Sequence, residues 1–384
     1  MLPFLSKVIE KLFIRHFLLS FTKPLFNSHQ FAFIPHDYLG TTNALTVFHL
    51  HILNCINTPS SYIRVLAIDF LKAFDKVSHA QLLEIAHKNF HLPHFTLKWL
   101  QSFLDNRFQR VHLSENLTTN WKHCSSGVPQ GSILGLILFA MLINSYNVIS
   151  SRSKVIIYAD DLSIIHHVPT SLSDDSQFEI NNLVSWASDN KLFINPIKTF
   201  VMNINPKNHF IPPLFLCDKI IKTSTSLKLL GITFTNDLKF NNHFTAIIKK
   251  CSYGMAAVTK LYHSGIRGKT LWQIYLALVF SQIAYCWPVI CDIPQHCFTK
   301  LCSMERRASN LSERSYNPKE LSVRLQNICL KLMKKVRADK NDPIRECFIE
   351  RPVQQNVLRN FIPFVPMNKS SKLIKSFAKF YNRF

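Results

Sequence analysis

Residues 154–168 read Lys-Val-Ile-Ile-Tyr-Ala-Asp-Asp-Leu-Ser-Ile-Ile-His-His-Val. Two apolar, β-branched runs flank Ala159-Asp160-Asp161, which predicts two strands meeting at a hairpin apex. Aspartate is a common turn residue, so a solvated hairpin tip is one reading. The other begins from repulsion. Two adjacent carboxylates between strands this apolar repel each other unless a cation neutralises them. Oxygen ligands of that type suit Mg²⁺ or Mn²⁺.

A second carboxylate follows a second apolar run. Residues 62–70, Tyr-Ile-Arg-Val-Leu-Ala-Ile-Asp-Phe, read as a buried strand with Asp69 near its C-terminal end. By itself, an Asp after a strand is usually a turn former or a helix N-cap. Ser78 with Gln81 three residues on forms a capping-box pattern, so a helix is expected from there to about Asn89. If the strand bearing Asp69 lies beside the 154–168 hairpin, three carboxylates converge on one edge. That arrangement suits two-metal phosphoryl transfer, with ions about 3.5–4 Å apart on the attacking and leaving oxygens.

Glycine is scarce, eight in 384 residues, yet Gly127, Gly131 and Gly135 fall within Gly127-Val-Pro-Gln-Gly-Ser-Ile-Leu-Gly135. Glycine permits positive φ and close approach of a ligand to the main chain. Ser132 can cap the apolar helix that follows, whose N-terminus favours an anion. The pattern is neither a Walker A loop nor a dinucleotide fingerprint. An ordinary loop-to-helix turn is the plain alternative.

The formal net charge of +22 implies a polyanionic partner, nucleic acid or an anionic membrane surface. It is unevenly spread: from residue 245 onward there are 24 Lys/Arg against 8 Asp/Glu, so +16 of the +22 lies there. This predicts a mixed α/β part followed by a basic, mostly helical part. The ten cysteines include no Cys-x-x-Cys pair, which excludes a small disulfide framework. Cys286, Cys291, Cys297 and Cys302 are expected to be buried free thiols. No signal peptide is evident. Residues 4–20 suggest an amphipathic helix, and residues 133–143 are too short to cross a bilayer. Residues 271–291 are long enough, but Gln273 and Gln282 punctuate them and Pro288 is expected to break the helix. They are expected to form a buried core helix; a membrane anchor is the rival reading.

In this order, the three motif segments resemble the reverse-transcriptase domain of non-LTR (LINE-type) retrotransposons. Asp69-Phe-Leu-Lys-Ala-Phe-Asp75 resembles the family's first catalytic motif. Ser126-Gly-Val-Pro-Gln-Gly-Ser-Ile-Leu-Gly135 resembles the motif that positions template and nucleotide. Tyr158-Ala-Asp-Asp161 resembles the motif with the catalytic carboxylate pair. Weaker similarities extend over most of the chain. Met1–Lys11 resembles an early fingers segment. Asn190–Thr199 follows an amphipathic helix (Ile180, Leu183, Val184, Ala187) and resembles the motif whose lysine approaches the triphosphate, here Lys198. Leu227–Phe234 resembles the hairpin that grips the primer end, residues 270–310 the thumb, and residues 359–382 the C-terminal tail.

The resemblance implies an α/β (α+β palm) right-hand polymerase fold: fingers and palm over 1–245, a helical thumb over 246–320 and a basic tail over 321–384. It implies RNA-directed DNA synthesis with two Mg²⁺ or Mn²⁺ ions held by Asp69, Asp160 and Asp161, the Phe70 carbonyl adding an oxygen. Phe74 is then the steric gate against a ribose 2′-OH. Gln130 and Gly131 position the incoming nucleotide and template base. Lys198 protonates the leaving pyrophosphate or stabilises its charge; without the family it is an ordinary solvated lysine. The implied partners are an RNA template, a DNA primer and deoxynucleotides, with no membrane, and the element's own RNA as a ribonucleoprotein in nucleus or cytoplasm.

The sequence departs from the family in four places. It starts inside the family's pattern, just after a segment that supplies an arginine to the triphosphate. Residues 31–42 replace a stretch that is usually basic and glycine-containing. Gly135-Leu136 stands where the family prefers Gly-Pro, and no endonuclease domain, ribonuclease H set or zinc knuckle is evident. A truncated or degenerate copy is expected on these grounds, and the alternative function is a catalytically defective relic that only binds nucleic acid.

Overall fold

The computed structural model describes residues 4–34, 39–56, 60–114, 117–205, 210–350 and 364–366. Met1–Pro3, residues 35–38 of the 31–42 stretch and most of the 359–382 tail lie outside them. The chain divides into two compact units.

The first unit comprises residues 1–39, 64–201 and 206–224. Its helices are α1 (Phe4–Phe13), α2 (His79–Lys88), α3 (His94–Leu104), α4 (Ile133–Ile143) and α5 (Ser176–Asp189). Its sheet has β1 (Ser61–Ile68), β2 (Ser153–Tyr158), β3 (Asp161–Pro169), β4 (Phe200–Ile204) and β5 (Lys222–Thr223), in the order β5-β4-β1-β3-β2. β1 is the middle strand, and Ser-Tyr-Ile-Arg-Val-Leu-Ala-Ile is buried almost throughout, Arg64 included, as a centrally placed strand requires. β2 and β3 form the expected hairpin, in register from Ser153↔His166 to Tyr158↔Asp161. A parallel bridge from Gln30 to Ile157 covers the outer edge of β2. The class is the mixed α/β one that the sequence predicts.

The core of this unit is built around α4. Nine of its eleven residues are buried, including Leu134, Leu138, Phe139 and Leu142. A short helix that is apolar all round belongs in a protein interior, where every face finds a partner. It packs with Leu66 and Ile68 of β1, Ile157 of β2, Ile164 of β3, and Ile180 and Leu183 of α5. Ser78 caps α2 by accepting the Gln81 N–H. The capping box is only half formed, because the Gln81 side chain instead donates to the Asp189 carbonyl at 2.7 Å.

The second unit comprises residues 40–63, 202–205 and 225–384. It contains the helix Thr41–Ile56, the hairpin β6 (Ser226–Leu229) and β7 (Ile232–Thr235), and helices α6 (Asn241–His263), α7 (Gly268–Tyr275), α8 (Gln295–Leu311) and α9 (Glu320–Ala338). The β6–β7 turn takes Leu230 and Gly231 to φ of 44° and 86°, the double positive φ of a type I′ turn. The Tyr285 hydroxyl donates to the Leu230 carbonyl at 2.6 Å, and its ring lies against Gly231.

Residues 271–291 are not one helix. α7 gives way to a π-turn at Leu276–Phe280 and one turn at Ser281–Ala284. The break falls at Tyr285-Cys286, where Cys286 has φ of 50°, and not at Pro288 as expected. Pro288 sits in the first turn of Trp287–Ile290, where a missing N–H costs nothing. Among the described residues no helix is long and apolar enough to cross a membrane. Cys286 and Cys297 are buried free thiols, whereas Cys291 and Cys302 are only partly buried. Burial also pushes the Cys251 thiol up to about 11 and Cys329 to about 12, so both serve as small packing groups.

Candidate active site

The condition set by the sequence is met: β1, which leads into Asp69, lies directly beside β3, which begins at Asp161. The β2–β3 turn is Ala159-Asp160, with Ala159 at φ of 57°. A two-residue turn leaves both aspartates at the exposed apex. The Asp161 carboxyl is raised above its ordinary range, first by desolvation, then by repulsion from Asp160 and from Asp69. The three carboxylates therefore share one electrostatic site.

Asp69 is held from a direction the sequence did not reveal. Phe70 forms an antiparallel bridge with Ile194, flanked by bonds from Leu71 N–H to the Phe193 carbonyl (2.8 Å) and from Asn195 N–H to the Asp69 carbonyl (2.7 Å). The Asn195 side-chain amide donates to Asp69 Oδ2 at 3.0 Å. The Phe70 carbonyl takes no part in these bonds, while its ring is buried and meets Trp186 edge-on. Any contribution of Phe70 to substrate is thus through its backbone. Lys198 is exposed, on the turn that starts at Asn195.

The loop after Asp69 and the glycine-rich loop are joined backbone to backbone. Gly127 N–H donates to the Val77 carbonyl (2.8 Å) and Val128 N–H to the Phe74 carbonyl (2.9 Å). Ser126 Oγ donates to the Asp75 carbonyl at 3.1 Å. Gly127 has φ of +84°, and a Cβ there would stand 2.8 Å from that same Asp75 oxygen. Only glycine allows the two loops this approach. Gly131 has φ of +85° but faces open space, and Gln130 beside it is exposed, its amide donating to Asp75 at 3.2 Å. The Phe74 ring is half-buried and stacks on Phe139 of α4, centroids 4.1 Å apart. Anchored to the core, it is a fixed wall.

The start of α4 corrects one expectation. Ser132 caps it as predicted, accepting the Gly135 N–H at 2.9 Å. The anion that this helix end favours comes from within the chain. Glu10 of α1 is buried, and its Oε2 accepts from Ser132 Oγ (2.7 Å), Ile133 N–H (2.8 Å) and Leu134 N–H (3.1 Å). Nothing in the pattern of α1 marks Glu10 as buried; it sits among charged residues of an amphipathic helix. Asn195 had a fainter signal, an Asn-Pro step that initiates turns.

The donor set fits hard divalent cations. It consists of carboxylate oxygens that repel one another, and among the described residues none of the three is paired with a basic side chain. Among the described residues no group of three such side chains is already arranged to hold an ion. Closing the carboxylates together without a cation raises their mutual energy.

The family model described as reverse transcriptase (RNA-dependent DNA polymerase) matches residues 1–234. Among curated relatives, a probable RNA-directed DNA polymerase from transposon BS of Drosophila melanogaster is 27% identical over 264 residues, 65% of this chain and 28% of that one. The corresponding protein of transposon X-element from the same organism is 25% identical over 311 residues, 76% of this chain and 33% of that one. The chain spans a third or less of the length of these relatives. Among solved structures, apo telomerase from Candida Tropicalis gives a TM-score of 0.46 at 12% identity, over 88% of this chain and 55% of that one. The family match covers more than half of the chain and includes all three carboxylates, the Phe74 turn and the glycine-rich loop, so the chain belongs to the reverse transcriptase family.

Proposed function

We propose that this chain catalyses RNA-directed DNA synthesis, adding deoxynucleotides to a DNA primer annealed to an RNA template. The observation that supports this reading is the adjacency of β1 and β3, with Asp160 and Asp69 both helping to raise the Asp161 carboxyl. The reaction joins the primer 3′-oxygen to the α-phosphorus and releases pyrophosphate. Two ions, Mg²⁺ or Mn²⁺, would supply Lewis-acid stabilisation of the attacking and leaving oxygens. Asp69, Asp160 and Asp161 would hold them, with the Phe70 carbonyl as a further oxygen.

The other residues divide the remaining work. Phe74, braced by Phe139, forms the floor beneath the sugar and excludes a 2′-OH. Gly131, with no neighbour where a Cβ would stand, lets the backbone approach the base pair, and Gln130 contacts it while tied to Asp75. Lys198 meets the leaving pyrophosphate, as charge partner or proton donor. The basic residues 245–384 neutralise phosphates of the template–primer duplex, a salt-dependent and sequence-blind contribution. In the second unit, the β6–β7 hairpin is suited to the primer end, and the helices after residue 245 to the thumb. The element's own RNA is a further partner, carried as a ribonucleoprotein.

Primer extension on an RNA template with deoxynucleotides and Mg²⁺ or Mn²⁺ tests the proposal. Template-dependent incorporation supports it. Salt-sensitive binding of the duplex without incorporation favours instead a relic that keeps the fold and the charge.

A further inference from the structure

We propose that Asn195 is a positioning residue, orienting Asp69 to receive a divalent cation and tying it to the turn that carries Lys198. The inference rests on the polymerase reading above and adds a residue to it.

Every polar group of Asn195 is engaged, and Asn195 is 7% exposed. Its amide nitrogen donates to Asp69 Oδ2 at 3.0 Å, and its backbone N–H donates to the Asp69 carbonyl at 2.7 Å. Its side-chain oxygen accepts the Ile197 N–H at 3.1 Å. Its carbonyl accepts from Thr199 Oγ1 (2.8 Å), Thr199 N–H (3.0 Å) and Lys198 N–H (3.3 Å). One face of Asn195 thus builds the Lys198 turn, and the other grips the carboxylate.

The chemistry favours a neutral donor here. The terminal torsion of an aspartate is broad, so an untethered carboxylate presents either oxygen in many orientations. A bond to Oδ2 fixes the carboxylate plane and presents Oδ1, which accepts no hydrogen bond from a described residue. A lysine or arginine in this place would neutralise the charge the cation needs, whereas an amide orients it and leaves it intact. Residues behind a ligand in this way typically change metal affinity or activity by about 10–100-fold.

The test compares four proteins (native, Asn195→Ser, Thr199→Val and the Asp160→Asn/Asp161→Asn pair) without nucleic acid or nucleotide, with Mn²⁺ as the probe and free ion read by its paramagnetic resonance signal. Asn195→Ser retains an oxygen that accepts the Ile197 N–H, as in an ST-turn, but it is too short to reach Asp69. Thr199→Val loosens the turn and leaves the Asp69 bond in place. The expected result is a loss of Mn²⁺ affinity of about tenfold or more in Asn195→Ser, with its melting temperature little changed. Thr199→Val should melt earlier and bind Mn²⁺ as the native chain does. Native affinity in Asn195→Ser overturns the inference, as does a native chain whose Mn²⁺ binding survives the Asp160→Asn/Asp161→Asn pair. A native chain that binds Mn²⁺ at the aspartates yet extends no primer overturns the polymerase reading alone, and Asn195→Ser still decides this one.

Discussion

Gly127 and Gly131 share a left-handed backbone and differ in their surroundings, so the same substitution has different consequences at each. Alanine at either position carries the left-handed strain of about 1–2 kcal/mol. At 127 its Cβ also collides with the Asp75 carbonyl, so a total of about 2–4 kcal/mol is expected in urea denaturation. Gly131→Ala should cost only the strain and show its main effect as a raised KM for nucleotide. Glu10 gives a second contrast. Glu10→Ala strands a buried hydroxyl and two N–H groups at the start of α4, and a loss of about 3–5 kcal/mol is expected. Glu10→Gln keeps an accepting oxygen and should lose less than half as much. Phe74→Val removes the wall that Phe139 supports, and ribonucleotide incorporation should rise at least about tenfold relative to deoxynucleotide.

Among elements, strands and caps were legible because their causes are local. Two continuous apolar, β-branched runs gave the β2–β3 hairpin, and Ser132 and Ser78 each gave a helix start. What escaped were partnerships fixed only in three dimensions. Gln81 left its box for a carbonyl 108 residues away, and Glu10 reached a helix 122 residues on. The break at Cys286 escaped because proline is a strong signal and a left-handed cysteine is none. The turn Asp342–Cys347 against the helix Thr41–Ile56 carries a pH prediction at this scale. Asp342 is buried, and burial pushes its carboxyl up to about 6. Its amide partner, Asn43, is 3.5 Å away, and Asn54 donates to the Cys347 carbonyl. A carboxyl that holds its proton more tightly when folded weakens the fold as pH rises from the ordinary range through about 6. At pH 8 Asp342→Asn should therefore melt above the native chain, a gain of roughly 2–3 kcal/mol, and at pH 5 that gain should shrink.

For the whole molecule, the charge sets the physics of binding. With +16 of the +22 beyond residue 244, affinity for a template–primer duplex should fall linearly in log–log against salt, with a slope on the order of −4 or steeper. The site opposes this field with its own negative charge. Asp161 is raised by burial and by its two neighbours, so the repulsion grows as pH rises through its folded pKa. Asp161→Asn should consequently raise the melting temperature at neutral pH while removing activity, the signature of a site strained for function. The most direct test of the account is primer extension on an RNA template with Mg²⁺, comparing the native chain with Asp160→Asn/Asp161→Asn at equal duplex occupancy. The account predicts deoxynucleotide incorporation by the native chain and none by the variant. Extension by neither, with both still bound to the duplex, would contradict it.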